Sequence, residues 1–95
     1  FPGTLNIRLD AASIQVRKHL DHAGWIDIPG FTADERTFGG ARVLPCRIRG
    51  EECAIVEPSR THYPEDIIEV IAGHELRKTL DLNDNDTIEV EITHD

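Results

Sequence analysis

The most constraining feature of the chain lies between Ala41 and Glu57, where two β-compatible runs flank a glycine. Ala41 to Arg49 and Glu52 to Glu57 read as the arms of an antiparallel hairpin, because glycine supplies the left-handed first position of a tight two-residue turn. A turn at Gly50-Glu51 sets Arg49 opposite Glu52 and Ile48 opposite Cys53, which leaves Cys46 facing Ile55. A hairpin with one apolar face needs further strands to cover it. Thr4 to Leu9 offers one: Leu5, Ile7 and Leu9 point one way, Thr4, Asn6 and Arg8 the other. Asp66 to Ala72 is a β-branched, apolar strand interrupted by Glu69, and Thr87 to Thr93 alternates again, with Ile88, Val90 and Ile92 inward.

Between these strands the signals are weaker. Ser13 is a candidate cap for a short helix carrying Ile14, Arg17, Lys18 and His22. Ile26 to Phe38 contains Pro29-Gly30 and reads as an irregular excursion with room for one short strand. Pro58 ends the second hairpin arm, and Ser59 to Glu65 is a polar loop closed by Pro64. His74 to Leu80 reads as a short helix whose Leu76 and Leu80, four apart, share the core-facing side. Asn83 to Asp86 is a turn. Many short strands, one or two short helices and turn signals between them predict a small, mostly β barrel.

At 95 residues the chain is one domain. Its net charge of −8 repels a phosphate backbone and argues against nucleic acid as a partner. No apolar run approaches the roughly 20 residues that cross a bilayer as a helix. Cys46 and Cys53 are the only cysteines and lack metal-ligand spacing. They read as two reduced, buried thiols of a monomeric cytoplasmic domain.

Three segments carry a family resemblance. They are Pro2-Gly3-Thr4-Leu5-Asn6-Ile7, then Thr61-His62-Tyr63-Pro64 running into Ile67 to Ala72, and His74-Glu75-Leu76-Arg77 leading to Leu80 to Ile88. In order and spacing they resemble the archaeal CTP-dependent riboflavin kinases, with the Pro-Gly-Thr-Leu-Asn run as the specific part. The resemblance implies a six-stranded cradle-loop barrel that phosphorylates riboflavin to FMN, with CTP converted to CDP and Mg²⁺ as cofactor. It assigns Thr4 and Asn6 to the metal, Thr61 and Glu69 to the flavin, and His74, Glu75, Leu76 and Arg77 to the cytidine nucleotide. The family's glycine-rich phosphate loop lies upstream of the Pro-Gly-Thr-Leu-Asn motif, so the domain spanning 1–95 is expected to lack it.

The residue types suit these roles. Thr4 and Asn6, two apart on a strand, offer a hydroxyl and an amide oxygen side by side, hard donors of the kind Mg²⁺ takes alongside phosphate oxygens and water; the alternative is a solvated polar strand face. Glu69, between Ile67 and Ile71, is costly to bury without a partner. It can accept a hydrogen bond from a ribityl hydroxyl, or act as the catalytic base as a kinase aspartate does, or simply sit on an edge strand. Thr61 serves a ligand or stabilises a turn. His74 to Arg77 opens a helix whose free N–H groups can meet a base edge or phosphate, although His74 also suits a cap, Leu76 the core and Arg77 a surface ion pair. His19 and His22 have helical metal spacing but no third ligand, and Trp25 suits the core better than a stacking platform.

Two other functions fit parts of this pattern. One is a non-catalytic flavin or nucleotide sensor belonging to a regulator, favoured by the missing phosphate loop. The other is a structural or DNA-binding small barrel, which the acidic charge disfavours.

Overall fold

The computed structural model describes residues 4–33, 36–59, 64–72 and 75–93. Among these described residues ten elements follow one another: β1 (Thr4–Arg8), α1 (Ala11–Lys18), β2 (Ile26–Ile28), β3 (Phe31–Ala33), β4 (Arg36–Phe38), β5 (Ala41–Ile48), β6 (Glu51–Pro58), β7 (Ile67–Ile71), α2 (Leu76–Thr79) and β8 (Glu91–Ile92). Six strands form one antiparallel sheet in the order β1-β7-β6-β5, with β2 and β8 both on the outer edge of β5. The mostly β architecture with two short helices is the expected one. Among the described residues no ladder joins β1 to β2 or β8; α2 lies against β1, and Leu82, Ile88, Val90 and Ile92 pack onto the core.

The alternating residues of the strands build that core. Leu44, Cys46 and Ile48 of β5, Ile55 of β6, and Ile68 and Val70 of β7 are buried, with Leu5 and Ile7 of β1 packed beside them. The register of the β5–β6 hairpin differs from the expected one. Arg49 (φ 51°) and Gly50 (φ 83°) both adopt left-handed backbone, so the turn is Arg49-Gly50 and of the primed type that matches strand twist. Ile48 then faces Glu51, and Cys46 faces Cys53 rather than Ile55. Moving the turn by one residue shifts the pairing by two, which leaves every side chain on the same face. The hydrophobic pattern is therefore blind to the difference.

Pro45 sits mid-strand in β5 without an N–H to donate. Its position explains how this is tolerated: β2 pairs with Ala41 to Val43 and β8 with Cys46 and Arg47, so Pro45 falls where the edge passes from one partner to the other. Its carbonyl still accepts from the Thr93 N–H at 3.3 Å.

Three further expectations are corrected. The cap of α1 is Asp10, whose carboxylate accepts from the Ser13 N–H at 2.8 Å; Ser13 itself is inside the helix. The 26–38 region holds three short strands instead of one, β2 on the main sheet and a separate β3–β4 hairpin. Three-residue strands are too short to show a period. Gly40 lets this region close up, since a Cβ there would stand 3.0 Å from the Ile28 carbonyl oxygen. Last, only Glu91–Ile92 of the 87–93 run is laddered, although Ile88, Val90 and Ile92 do face inward.

Candidate functional site

The site grows from the register of β1 on β7. Asn6 pairs with Glu69 and Thr4 with Ile71, while Glu69 faces Val56 of β6 on its other side. Directly opposed residues in an antiparallel pair project from the same face, with Cβ atoms about 5 Å apart. An exposed amide from β1 and a half-buried carboxylate from β7 thus stand side by side on the face opposite the core. Glu69 has interactions with its surroundings beyond this pairing.

The ladder between β6 and β7 covers Ala54 to Val56 and Glu69 to Ile71. Past that point the strands separate around a cleft of about 230 Å³, walled by Val56, Ile67 and Glu69 on the sheet side and by Arg17 and Lys18 from the last turn of α1. Lys18 reaches across to Glu65 at 3.3 Å. Arg17 contacts Glu57, which also receives Arg42 at 2.9 Å, and Arg42 continues to Asp21 at 3.1 Å. Both guanidiniums approach Trp25, with Arg42 4.2 Å and Arg17 5.5 Å from the ring centroid, and the Trp25 Nε1–H donates to the Leu20 carbonyl at 2.6 Å. Burial, then the nearby Arg42 charge, lowers the Arg17 pKa, opposed by Asp21; an arginine keeps its charge regardless. Arg17 and Lys18 thus edge the cleft, each paired with a carboxylate of the same lining, Glu57 and Glu65, while Glu69 is its third acid.

A second, wider trough of about 1410 Å³ runs along β1 and the 82–92 segment. Asn6 and Arg77 both line it, and it shares Arg17, Ile55, Ile67 and Ile68 with the cleft. The structure thus brings Asn6, Glu69 and Arg77 to two adjoining depressions. Arg77 is exposed and ion-paired with Asp84 of the acidic turn, which raises its pKa first through the hydrogen bond and then through charge.

The other expected residues divide. Thr61 and His74 lie outside the described residues. Thr4 is placed by its backbone register alone. Glu75 is exposed at the start of α2. Leu76 as a whole residue is only 1% exposed and belongs to the core, which sets it apart from the exposed Glu75 and Arg77 on either side. His19 turns its Nδ1 to the Gln15 carbonyl at 2.7 Å, and α1 ends before the His19–His22 spacing can act as a helical metal pair. Among the described residues no group of three or more His, Cys, Asp and Glu side chains is arranged to hold a metal; the oxygen donors expected at Thr4 and Asn6 are of another kind, and the exposed Asn6 amide beside a carboxylate suits a hard cation.

Sequence reasoning passed over the Arg17–Glu57–Arg42–Trp25 stack. The available signal was the pair of basic residues closing the first helix and the single tryptophan of the chain, but their meeting depends on tertiary contacts between side chains far apart in sequence.

The model of the CTP-dependent riboflavin kinase family, described as domain of unknown function DUF120, matches residues 1–92. A riboflavin kinase of Methanoculleus marisnigri is 88% identical over 95 residues, all of this chain and 43% of the relative. Riboflavin kinases of Pyrobaculum aerophilum and Archaeoglobus fulgidus are 51% and 48% identical over 92 residues, 97% of this chain and 44% and 40% of those proteins. The chain spans less than half the length of the curated relatives it matches. With a family model covering nearly every residue and archaeal relatives this similar, the chain belongs to the CTP-dependent riboflavin kinase family.

Proposed function

We propose that this domain transfers the γ-phosphoryl group of CTP to the 5′-hydroxyl of riboflavin, releasing FMN and CDP. The observation that supports it most directly is the pairing of Asn6 with Glu69 on adjacent strands, beside a cleft edged by Arg17 and Lys18. Phosphoryl transfer asks a protein mainly to position two substrates in line and to offset developing charge. Glu69 is the residue assigned to the hydroxyl: its carboxylate orients the 5′-OH and accepts its proton as the new P–O bond forms and the β–γ bridge breaks. Thr61 joins it at the flavin. Asn6 and Thr4 are the residues that would hold Mg²⁺, which when bound supplies charge neutralisation to the nucleotide phosphates. His74, Glu75, Leu76 and Arg77 are the segment assigned to the cytidine nucleotide.

The test is FMN formation from riboflavin with Mg²⁺, comparing CTP with ATP, on this chain and on the full-length Methanoculleus relative. FMN made from CTP in preference to ATP is the expected result. FMN made from CTP by the longer protein alone assigns phosphate binding to the family's glycine-rich loop, whereas no FMN from either protein, with riboflavin still bound, would overturn the kinase reading and leave a flavin-binding sensor.

A further inference from the structure

The two cysteines are the largest feature that the proposed reaction leaves unused. They stand directly opposite one another on β5 and β6, both are free thiols, and their Sγ atoms are 3.3 Å apart. The Cys53 thiol also lies 3.5 Å from the Cys46 carbonyl oxygen. Ile48 and Glu51 close the hairpin, so two positions on, Cys46 and Cys53 form another hydrogen-bonded pair of the antiparallel ladder. Such pairs hold Cα atoms about 5.5 Å apart, inside the range that a disulfide bridges without backbone movement. The two thiols are unequal. Cys46 is 2% exposed, whereas Cys53 is only half-buried. The hydrogen bond between them lowers the pKa of Cys53, and that same contact together with burial raises Cys46.

From this geometry we infer that Cys46 and Cys53 form a dithiol site that exchanges with small-molecule disulfides and closes to an intramolecular cystine across the β5–β6 hairpin. Cys53, deprotonated, attacks one sulfur of the incoming disulfide, forming a mixed disulfide and expelling one thiolate. Cys46 then loses its proton, attacks the Cys53 sulfur and expels the second. Two protein thiols are oxidised to one disulfide, the reagent is reduced to two thiols, and the protons leaving Cys53 and Cys46 end on those thiols. The oxidant is thus a low-molecular-weight disulfide, with oxidised glutathione as the probe. No part of this depends on the kinase reading.

The experiment exposes the folded whole chain to oxidised glutathione, quenches with acid, alkylates remaining thiols and measures intact mass and disulfide-linked peptides. The expected product has lost two hydrogen atoms, retains no glutathione and yields a peptide linking Cys46 to Cys53. Cys46→Ala is expected to keep one glutathione on Cys53, while Cys53→Ala stays unmodified until denatured. A persistent glutathione adduct on the native chain, disulfide-linked dimers, or two thiols that react only after denaturation would each overturn the inference. Because Cys46 is a core residue, the wild-type peptide map decides the matter even if the Cys46 variant fails to fold.

Discussion

Leu76→Ala tests how the segment assigned to the nucleotide is held in place. α2 has four residues, and a helix that short has no stability of its own in water. Its position rests on Leu76 and Leu80, which are 1% and 8% exposed in a core shared with Leu44, Ile48 and Val70. Truncating Leu76 removes three buried carbons and leaves a cavity, at a cost of about 3 kcal/mol, mid-range for such changes. A domain of this size has a total stability of about 5–15 kcal/mol, so the loss is a large share of it. It corresponds to a fall in melting temperature of about 12–24 °C, at about 4–8 °C per kcal/mol. Urea denaturation followed by tryptophan emission reads this directly, since Trp25 is the only tryptophan and is packed beneath Arg42. Arg77→Ala, next in sequence but exposed and paired with Asp84, serves as the comparison and is expected to leave the urea midpoint nearly unchanged. The reasoning is refuted if Leu76→Ala costs less than about 1 kcal/mol, below even the transfer term for a buried leucine, or if the two variants unfold alike.

Three other outcomes are expected. Glu69→Gln lowers kcat for FMN formation by about 10²–10⁴-fold, the usual range for losing a general base, with the riboflavin KM little changed, while Asn6→Ala raises the Mg²⁺ concentration needed for half-maximal rate; an unchanged kcat in Glu69→Gln removes it from the chemistry. Glu57→Gln leaves Arg17 and Arg42 facing each other over Trp25 with Asp21, on Arg42, as the remaining counter-charge. The side chains retain 22–30% exposure, so the cost lies between that of surface and buried pairs, about 1–2 kcal/mol by urea denaturation, and falls in high salt. Asp10→Ala weakens the N-terminus of α1. Hydrogen bonds from Ser13 hold the Asp10 pKa below its ordinary value, so its contribution is present above the unfolded pKa and is lost as pH falls through the folded one. Thermal melts of wild type and Asp10→Ala are accordingly expected to differ at neutral pH and to converge in acid.

The residues alone already specified the mostly β class, the inward faces of Thr4–Leu9 and Thr87–Thr93, the anchoring role of Leu76 and Leu80, and the family. Period-two alternation and i, i+4 spacing are local properties that survive into any fold burying one face. Which residues meet across strands is a different matter. Asn6 meets Glu69, and Cys46 meets Cys53, because register depends on turn geometry and on partners distant in sequence. The positive φ values at Arg49 and Gly50 moved the β5–β6 pairing by two positions, and a two-position slip conserves the apolar pattern. The same limit hid the Arg17–Glu57–Arg42–Trp25 stack, whose members come from α1, β6, β5 and the 19–25 segment. Which side chains face the core was legible along the chain, since burial of a face follows from spacing within one strand. Which side chains stand together was not, since that follows from how separate strands are set against each other.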